Sequence, residues 1–369
     1  MKTFLFPGQG SQVRGMGVGL FEAFPDLTRR ASEILGYSIR ELCLDDPRRQ
    51  LAQTQFTQPA LYVVSALSYL KRVSNGGAPP DMFAGHSLGE FNALMAAGCF
   101  DFELGLRLVK KRGELMGRVA DGAMAAIMSV SNEKVSSILR ERGSTEVDIV
   151  IYNSPLQCVV AGRKEELAKL EPLFREAGAL YYPLNTSGAF HSRFMQPVSE
   201  EFRAYLRDIQ FAPLQKRVIA NVTAQPYRDA DIVDNLVAQL SRPVRWQQSM
   251  QYLLEVEGME FEEIGHGDVL TKLLEKNRQQ APRTGASQSN GGVTLQEGTQ
   301  NRQHQALEKV RAWNTAHPVG TRVRSSIVQG QDLETRTQAV VLFGHRAAVY
   351  MKGYNGYFDL EQIEAAAGN

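Results

Sequence analysis

Asp81-Met-Phe-Ala84, Gly85-His86-Ser87-Leu88-Gly89 and Glu90-Phe-Asn-Ala-Leu-Met-Ala-Ala97 follow one another without a gap, and the rest of the chain is read outward from them. The first is a short apolar run, the last has a helical pattern, and the five residues between fit G-x-S-x-G. A sharp strand-to-helix turn needs small residues beside the serine, because side chains there would collide. The turn lifts the hydroxyl out of the sheet and sets it at a helix N-terminus, where free N–H groups can stabilise an oxyanion. A glycine-rich βα turn with an incidental serine carries the same five letters. The strand before and the helix after favour a nucleophile.

Working outward, residues 2–6 read as a buried strand ended by Pro7-Gly8-Gln9-Gly10. Helical patterns cover 58–72 and 101–119. From 123 the rhythm changes: strands at 123–130, 147–152, 157–161 and 179–183 alternate with helices at 132–142 and 164–177. This strand–helix–strand–strand–helix–strand order is the ferredoxin-like pattern. Helices at 192–207, 231–240, 245–256 and 268–277, with strands at 217–221 and 260–264, return to the first rhythm. The expected fold class is α/β: an α/β-hydrolase-like large domain with a parallel sheet (1–120 and 187–278) and an inserted ferredoxin-like small subdomain (121–186). Residues 281–303 are rich in Gly, Ser, Thr, Gln and Asn and read as a flexible linker. Beyond it, 304–366 is expected to be a small β-rich appendage. Its signals are a helix over Gln305–Trp313, strands at Thr337–Phe343 and Val349–Met351, and turn chemistry at Gly353-Tyr-Asn-Gly-Tyr357.

The chain has 369 residues, with 41 Lys and Arg against 40 Asp and Glu. That balance gives no general attraction to nucleic acid or to a membrane surface. No run approaches the roughly 20 apolar residues that span a bilayer, and the N-terminus is too short for a signal-peptide core. Cys43, Cys99 and Cys158 are odd in number and widely spaced. They argue against a disulfide framework and a cysteine-rich metal site, and the expected compartment is the cytoplasm.

A serine nucleophile needs a base. Of six histidines, His86 adjoins the serine with its side chain expected to point away, and His304, His317 and His345 lie beyond the main domain. His191, in Ser187-Gly-Ala-Phe-His-Ser192, and His266, in Gly265-His-Gly267, both sit at junctions where a helix begins. Chemistry alone leaves both open, with His191 modestly preferred.

Several motifs then coincide in order: Phe6-Pro-Gly-Gln-Gly-Ser-Gln12, Thr57-Gln58-Pro59-Ala60, Gly85-His-Ser-Leu-Gly-Glu90, Asn153-Ser-Pro155, Ala189-Phe-His-Ser192, Gln239-Leu240 with Pro243-Val244 and Trp246, and Glu263-Ile264-Gly265. Over residues 1–278 the chain resembles the malonyl-coenzyme A:acyl carrier protein transacylases and the acyltransferase domains of polyketide synthases. The resemblance implies Ser87 as nucleophile and His191 as base, the imidazole held by the backbone carbonyl of Gln239. It implies oxyanion-hole amides at Gln9 and Leu88, and substrate contacts from Arg112, Phe190, Gln58 and Asn153. Arg112 would grip the free carboxylate of malonate through two parallel hydrogen bonds, a group that acetyl lacks. Phe190 would leave little room for a methyl branch. The chain departs from the pattern at Gly188, where malonyl-selective polyketide members usually carry His, and at His266, where the family usually has Pro.

What the resemblance implies is malonyl transfer from malonyl-CoA, through a malonyl-serine, to the phosphopantetheine thiol of an acyl carrier protein. No metal and no resident cofactor are expected. A free-standing, trans-acting polyketide enzyme is preferred over a housekeeping fatty acid transacylase. The alternatives are an acyl hydrolase clearing carrier proteins, an ordinary esterase using His266, and an interaction module in the tail, where 349–358 is rich in aromatics.

Overall fold

The computed structural model describes residues 1–280, 294–325, 332–342, 346–353 and 357–366. They fall into two compact units, Met1–Pro282 and Arg283–Asn369.

In the first unit the chain starts with β1 (Lys2–Phe6), followed by helices α1 (Pro25–Leu35), α2 (Ile39–Leu44) and α3 (Thr54–Ser74). Next come β2 (Met82–Gly85), α4 (Gly89–Ala96) and α5 (Phe102–Gly117). Burial does not alternate along β1: Thr3, Phe4, Leu5 and Phe6 are all buried, as a strand covered on both faces requires. Phe4, Phe6 and Phe83 meet Tyr69 of α3 edge-on, with ring centroids 5.8 to 6.5 Å apart. That cluster fixes α3 against the sheet.

The small subdomain runs β3 (Ala123–Met128), α6 (Asn132–Glu141), β4 (Val147–Ser154), β5 (Gln157–Gly162), α7 (Lys164–Glu176) and β6 (Leu180–Pro183). Its strands pair antiparallel in the order β4-β5-β3-β6, the ferredoxin-like arrangement. Its own core includes Ile127, Val135, Ile149, Val160, Leu167 and Phe174. The edge strand β4 is tied back to the large domain by Tyr152 N–H donating to the Val244 carbonyl and Val244 N–H to that of Val150, both 2.9 Å.

The chain then re-enters the large domain through α8 (Gln196–Leu206), β7 (Arg217–Ile219), α9 (Ile232–Ser241), α10 (Trp246–Leu254), β8 (Glu260–Glu263) and α11 (Val269–Gln280). The large sheet has the order β7-β2-β1-β8, all parallel. All four carboxyl ends therefore open on one edge, where α/β proteins place their sites. The helices α1 and α2, in the stretch 13–57, had no counterpart in the sequence reading. Glycines at 15, 17 and 19 and the charged run 29–33 hide a helix that starts at Pro25.

The second unit contains α12 (Thr294–Ala316) and two three-stranded antiparallel sheets. One joins β9 (Arg322–Ser325) to β10 (Leu333–Glu334), with β14 (Ile363–Ala365) on its other side. The other joins β11 (Val340–Leu342), β12 (Arg346–Tyr350) and β13 (Tyr357–Asp359). Val323, Leu333, Val349, Met351, Phe358 and Ile363 form its core, with Val310 and Trp313 of α12 packed on it. The linker was expected over 281–303, and the described part of that stretch is helical. Residues 281–293 lie outside the described residues, and 294–303 belong to α12. Gln, Glu and Arg are good helix formers, so a polar composition alone did not make a linker. The expected turn at 353–357 lies largely outside the described residues.

Candidate active site

Ser87 sits in the turn between β2 and α4 with φ 51°, a left-handed conformation that non-glycine residues adopt mainly where surroundings enforce it. The enforcement is visible at Gly89. A Cβ there would lie 2.0 Å from the Phe6 carbonyl oxygen, so β1 and the start of α4 touch backbone to backbone. Asn221, just past β7, completes the turn. Its Oδ1 accepts the Ser87 N–H at 2.7 Å and its Nδ2 donates to the Gly85 carbonyl at 2.6 Å.

His191 stands where the small subdomain returns to the large one, also with positive φ, 61°. Its Nε2 is 2.8 Å from Ser87 Oγ, and its Nδ1 is 2.6 Å from the Gln239 carbonyl at the end of α9. The carbonyl can only accept, so Nδ1 carries the proton and Nε2 is the free lone pair facing the hydroxyl. Burial, joined by the neighbouring Arg112 cation, pushes the imidazole down to about 3. It is neutral at physiological pH, the form that can take a proton.

Arg112, on α5, is 1% exposed. Its Nη2 donates to Ser87 Oγ at 3.2 Å and to Gln239 Oε1 at 2.8 Å, and its Nη1 donates to Gln58 Oε1 at 2.7 Å. The guanidinium carbon lies 5.6 Å from the Phe91 ring centre. Burial lowers its pKa to about 10, opposed by the Glu90 carboxylate, so it remains a cation. Among the described residues its buried Nε has no acceptor. The guanidinium is a buried cation whose three hydrogen-bond acceptors, on Gln58, Ser87 and Gln239, are all neutral.

The structure thus brings together Ser87, His191, Arg112, Gln239 and Gln58. Asn153 is placed one step away, its Oδ1 2.9 Å from Nε2 of His86. The His86 ring is turned to that contact and to the edge of Trp246, 5.3 Å between ring centres. Phe190 is buried in the main core. A Cβ at residue 188 would meet the Val119 carbonyl at 2.9 Å and the Phe190 ring at 3.2 Å, so the room for a side chain there is already taken. The Gln9 side chain donates to Thr54 Oγ1 at 3.3 Å. Gly8 beside it packs on the elbow, where a Cβ would be 3.6 Å from the Leu88 nitrogen. Ser87 faces His191 rather than His266, which removes the geometry an esterase with a late histidine would need.

Sequence reasoning missed Glu90, Asn221 and Tyr227. Glu90 is 1% exposed, and accepts from Asn221 N–H at 2.7 Å, Tyr227 Oη at 3.0 Å and Gln239 Nε2. Burial raises its carboxyl to about 7 against those bonds and the Arg112 charge. One signal was present: α4 is apolar on every side apart from Glu90 and Asn92, so an acid there has to be buried.

The acyl transferase domain family matches residues 3–323. The polyketide biosynthesis malonyl CoA-acyl carrier protein transacylase PksC of Bacillus subtilis is 50% identical over 283 residues, covering 76% of this chain and 98% of that protein. The polyketide biosynthesis protein PksE of the same organism is equally similar, but this chain spans only 37% of its length. The crystal structure of a malonyl CoA-acyl carrier protein transacylase from Burkholderia pseudomallei superposes with a TM-score of 0.75 at 52% identity, covering 76% of this chain and 99% of that one. A malonyl-transacylase solved in complex with a type II polyketide synthase acyl carrier protein gives 0.72 at 36% identity, over 76% of this chain and 93% of that one. With a family model over residues 3–323 and a match that spans nearly the whole length of such enzymes and 76% of this chain, the chain belongs to the acyl transferase family of the malonyl CoA-acyl carrier protein transacylases.

Proposed function

We propose that the protein transfers malonyl from malonyl-CoA to the phosphopantetheine thiol of an acyl carrier protein, in polyketide synthesis. The observation that carries this reading is a single oxygen: Ser87 Oγ lies 2.8 Å from a neutral imidazole nitrogen and 3.2 Å from a buried guanidinium. Nucleophile, base and carboxylate clamp converge on it.

In the proposed cycle the malonyl carboxylate pairs with Arg112, which orients the thioester over Ser87. His191 Nε2 takes the hydroxyl proton as Oγ bonds to the thioester carbon. The carbonyl electrons move onto oxygen and are held by the Leu88 and Gln9 amides, neither of which has a partner among the described residues. Collapse breaks the C–S bond, and the imidazolium returns its proton to the leaving coenzyme A thiolate. The carrier thiol then attacks the malonyl-serine, giving its proton to His191, and Ser87 leaves with that proton. Asn153 and Gln58 line the acyl approach, and Phe190 restricts branching at the malonyl α-carbon. Malonyl-CoA is a substrate here; the cycle uses no resident cofactor. Three free, buried thiols at Cys43, Cys99 and Cys158 suit a cytoplasmic location.

Intact-mass analysis after exposure to malonyl-CoA tests the nucleophile. The native chain should gain one malonyl group and Ser87→Ala none. Label retained in Ser87→Ala would refute the reading.

A further inference from the structure

We propose that Glu90 is the positioning residue for the Arg112 clamp, acting through the side-chain amide of Gln239. The proposal rests on the functional reading above. The polar atoms settle the orientation of that amide. Arg112 Nη2 can only donate, so its partner at 2.8 Å is Gln239 Oε1. The Ser87 carbonyl can only accept, and Gln239 Nε2 donates to it at 2.8 Å. The second Nε2 hydrogen goes to Glu90 Oε2. Glu90 Oε1 receives the Asn221 N–H and the Tyr227 hydroxyl, so three donors converge on one carboxylate, the pattern of an ionised acid. Asn221 in turn holds the serine elbow at Ser87 N–H and at the Gly85 carbonyl. One buried anion therefore ties the elbow, the residue that carries the base's acceptor, and the clamp.

A glutamine at position 90 has the same shape and the wrong donors. Its NH2 faces either Gln239 Nε2 or the Asn221 amide, donor against donor, in both amide orientations. The Asn221 N–H is fixed in the backbone and the Gln239 side chain is not, so the first orientation prevails: Gln239 turns, and its Oε1 leaves Arg112. A guanidinium released from one of its anchors no longer presents a fixed fork to a carboxylate. A second effect runs the other way: without Glu90 the pocket is more positive and draws an anion more strongly. A charge acting across an intervening amide changes affinity severalfold, whereas misplacing a reacting group costs up to about 100-fold. Orientation should prevail.

The test compares malonyl-CoA with acetyl-CoA as donors, using the full chain and one holo carrier protein at about pH 8, where carboxylates are ionised. In Glu90→Gln the malonyl-to-acetyl ratio of kcat/KM should fall about tenfold through a higher malonyl KM, as loss of one charge-assisted contact implies. Equal losses for both donors would mean only structural damage and would overturn the proposal; a ratio that rises would make Glu90 a counter-charge alone and overturn it too. If Glu90→Gln does not fold, Gln239→Met removes the same amide and keeps the carbonyl that holds His191. Its ratio should fall as well, and an unchanged ratio would overturn the proposal. A native enzyme that uses acetyl as well as malonyl would sink the functional reading itself.

Discussion

The large domain and the small subdomain of the first unit are both α/β, yet they spend their interiors differently. The subdomain has a hydrophobic core from Ile127 and Val135 to Phe174, and its buried polar residues, Asn132, Asn153 and Ser154, carry no charge. The large domain buries Gln58, Ser87, Glu90, Arg112, His191, Asn221 and Gln239 together, each at most 9% exposed, and holds two of them at positive φ. Buried polar groups and a left-handed serine oppose stability. They persist because nearly all of their polar atoms are satisfied within the cluster, the Arg112 Nε excepted, and the subdomain, which buries no charged residue, supplies the return point at His191.

That contrast can be broken most severely at Gly89. Gly89→Ala drives a methyl onto the Phe6 carbonyl, so the elbow must shift, and a displacement of even about 1 Å should cost about 100-fold in malonyl transfer. Val160→Ala, in the centre of the subdomain sheet, should behave in the opposite way. It should lower unfolding stability by about 2 kcal/mol and leave the donor ratio where it was. Denaturant melts and donor kinetics on the two variants check both; a Val160→Ala chain with altered donor preference would erase the distinction.

A smaller effect sharpens it. Glu90 is raised from 4.5 to about 7, so the folded chain takes up a proton and this group adds stability as pH falls through that window. His191 is lowered from 6.5 to about 3, so its contribution is lost as pH falls toward 3. Between pH 4.5 and 6.5 the two oppose one another. Glu90→Gln removes the first alone, and its stability should fall faster on acidification than that of the native chain, by up to about 1.4 kcal/mol per pH unit. Parallel melting curves from pH 7 downward would show that the two groups do not compensate.

The sequence made the elbow legible because its steric demands are local: two glycines and a serine within five residues, between a strand and a helix. The subdomain was legible through its strand–helix rhythm, with edges within two residues of those observed at most elements. The support beneath the serine was not. Glu90 meets Asn221, Tyr227 and Gln239, residues more than a hundred positions away that no local pattern connects. Asn221 did lie where a strand was expected to end, and the carboxyl end of a parallel strand is where such a residue belongs. The polar start of α12 misled for the opposite reason, since composition was read where helix propensity decided.

The central claim is that serine, imidazole and guanidinium form one site built for a carboxylated acyl group. Intact-mass and peptide mapping of native and Arg112→Ala chains, each offered malonyl-CoA and acetyl-CoA in competition, tests it most directly. The account predicts malonyl on Ser87 of the native chain, and in Arg112→Ala a loss of malonyl with acetyl taking its place on the same serine. Malonyl still dominant on Ser87 of Arg112→Ala, or label on any other residue, would contradict it.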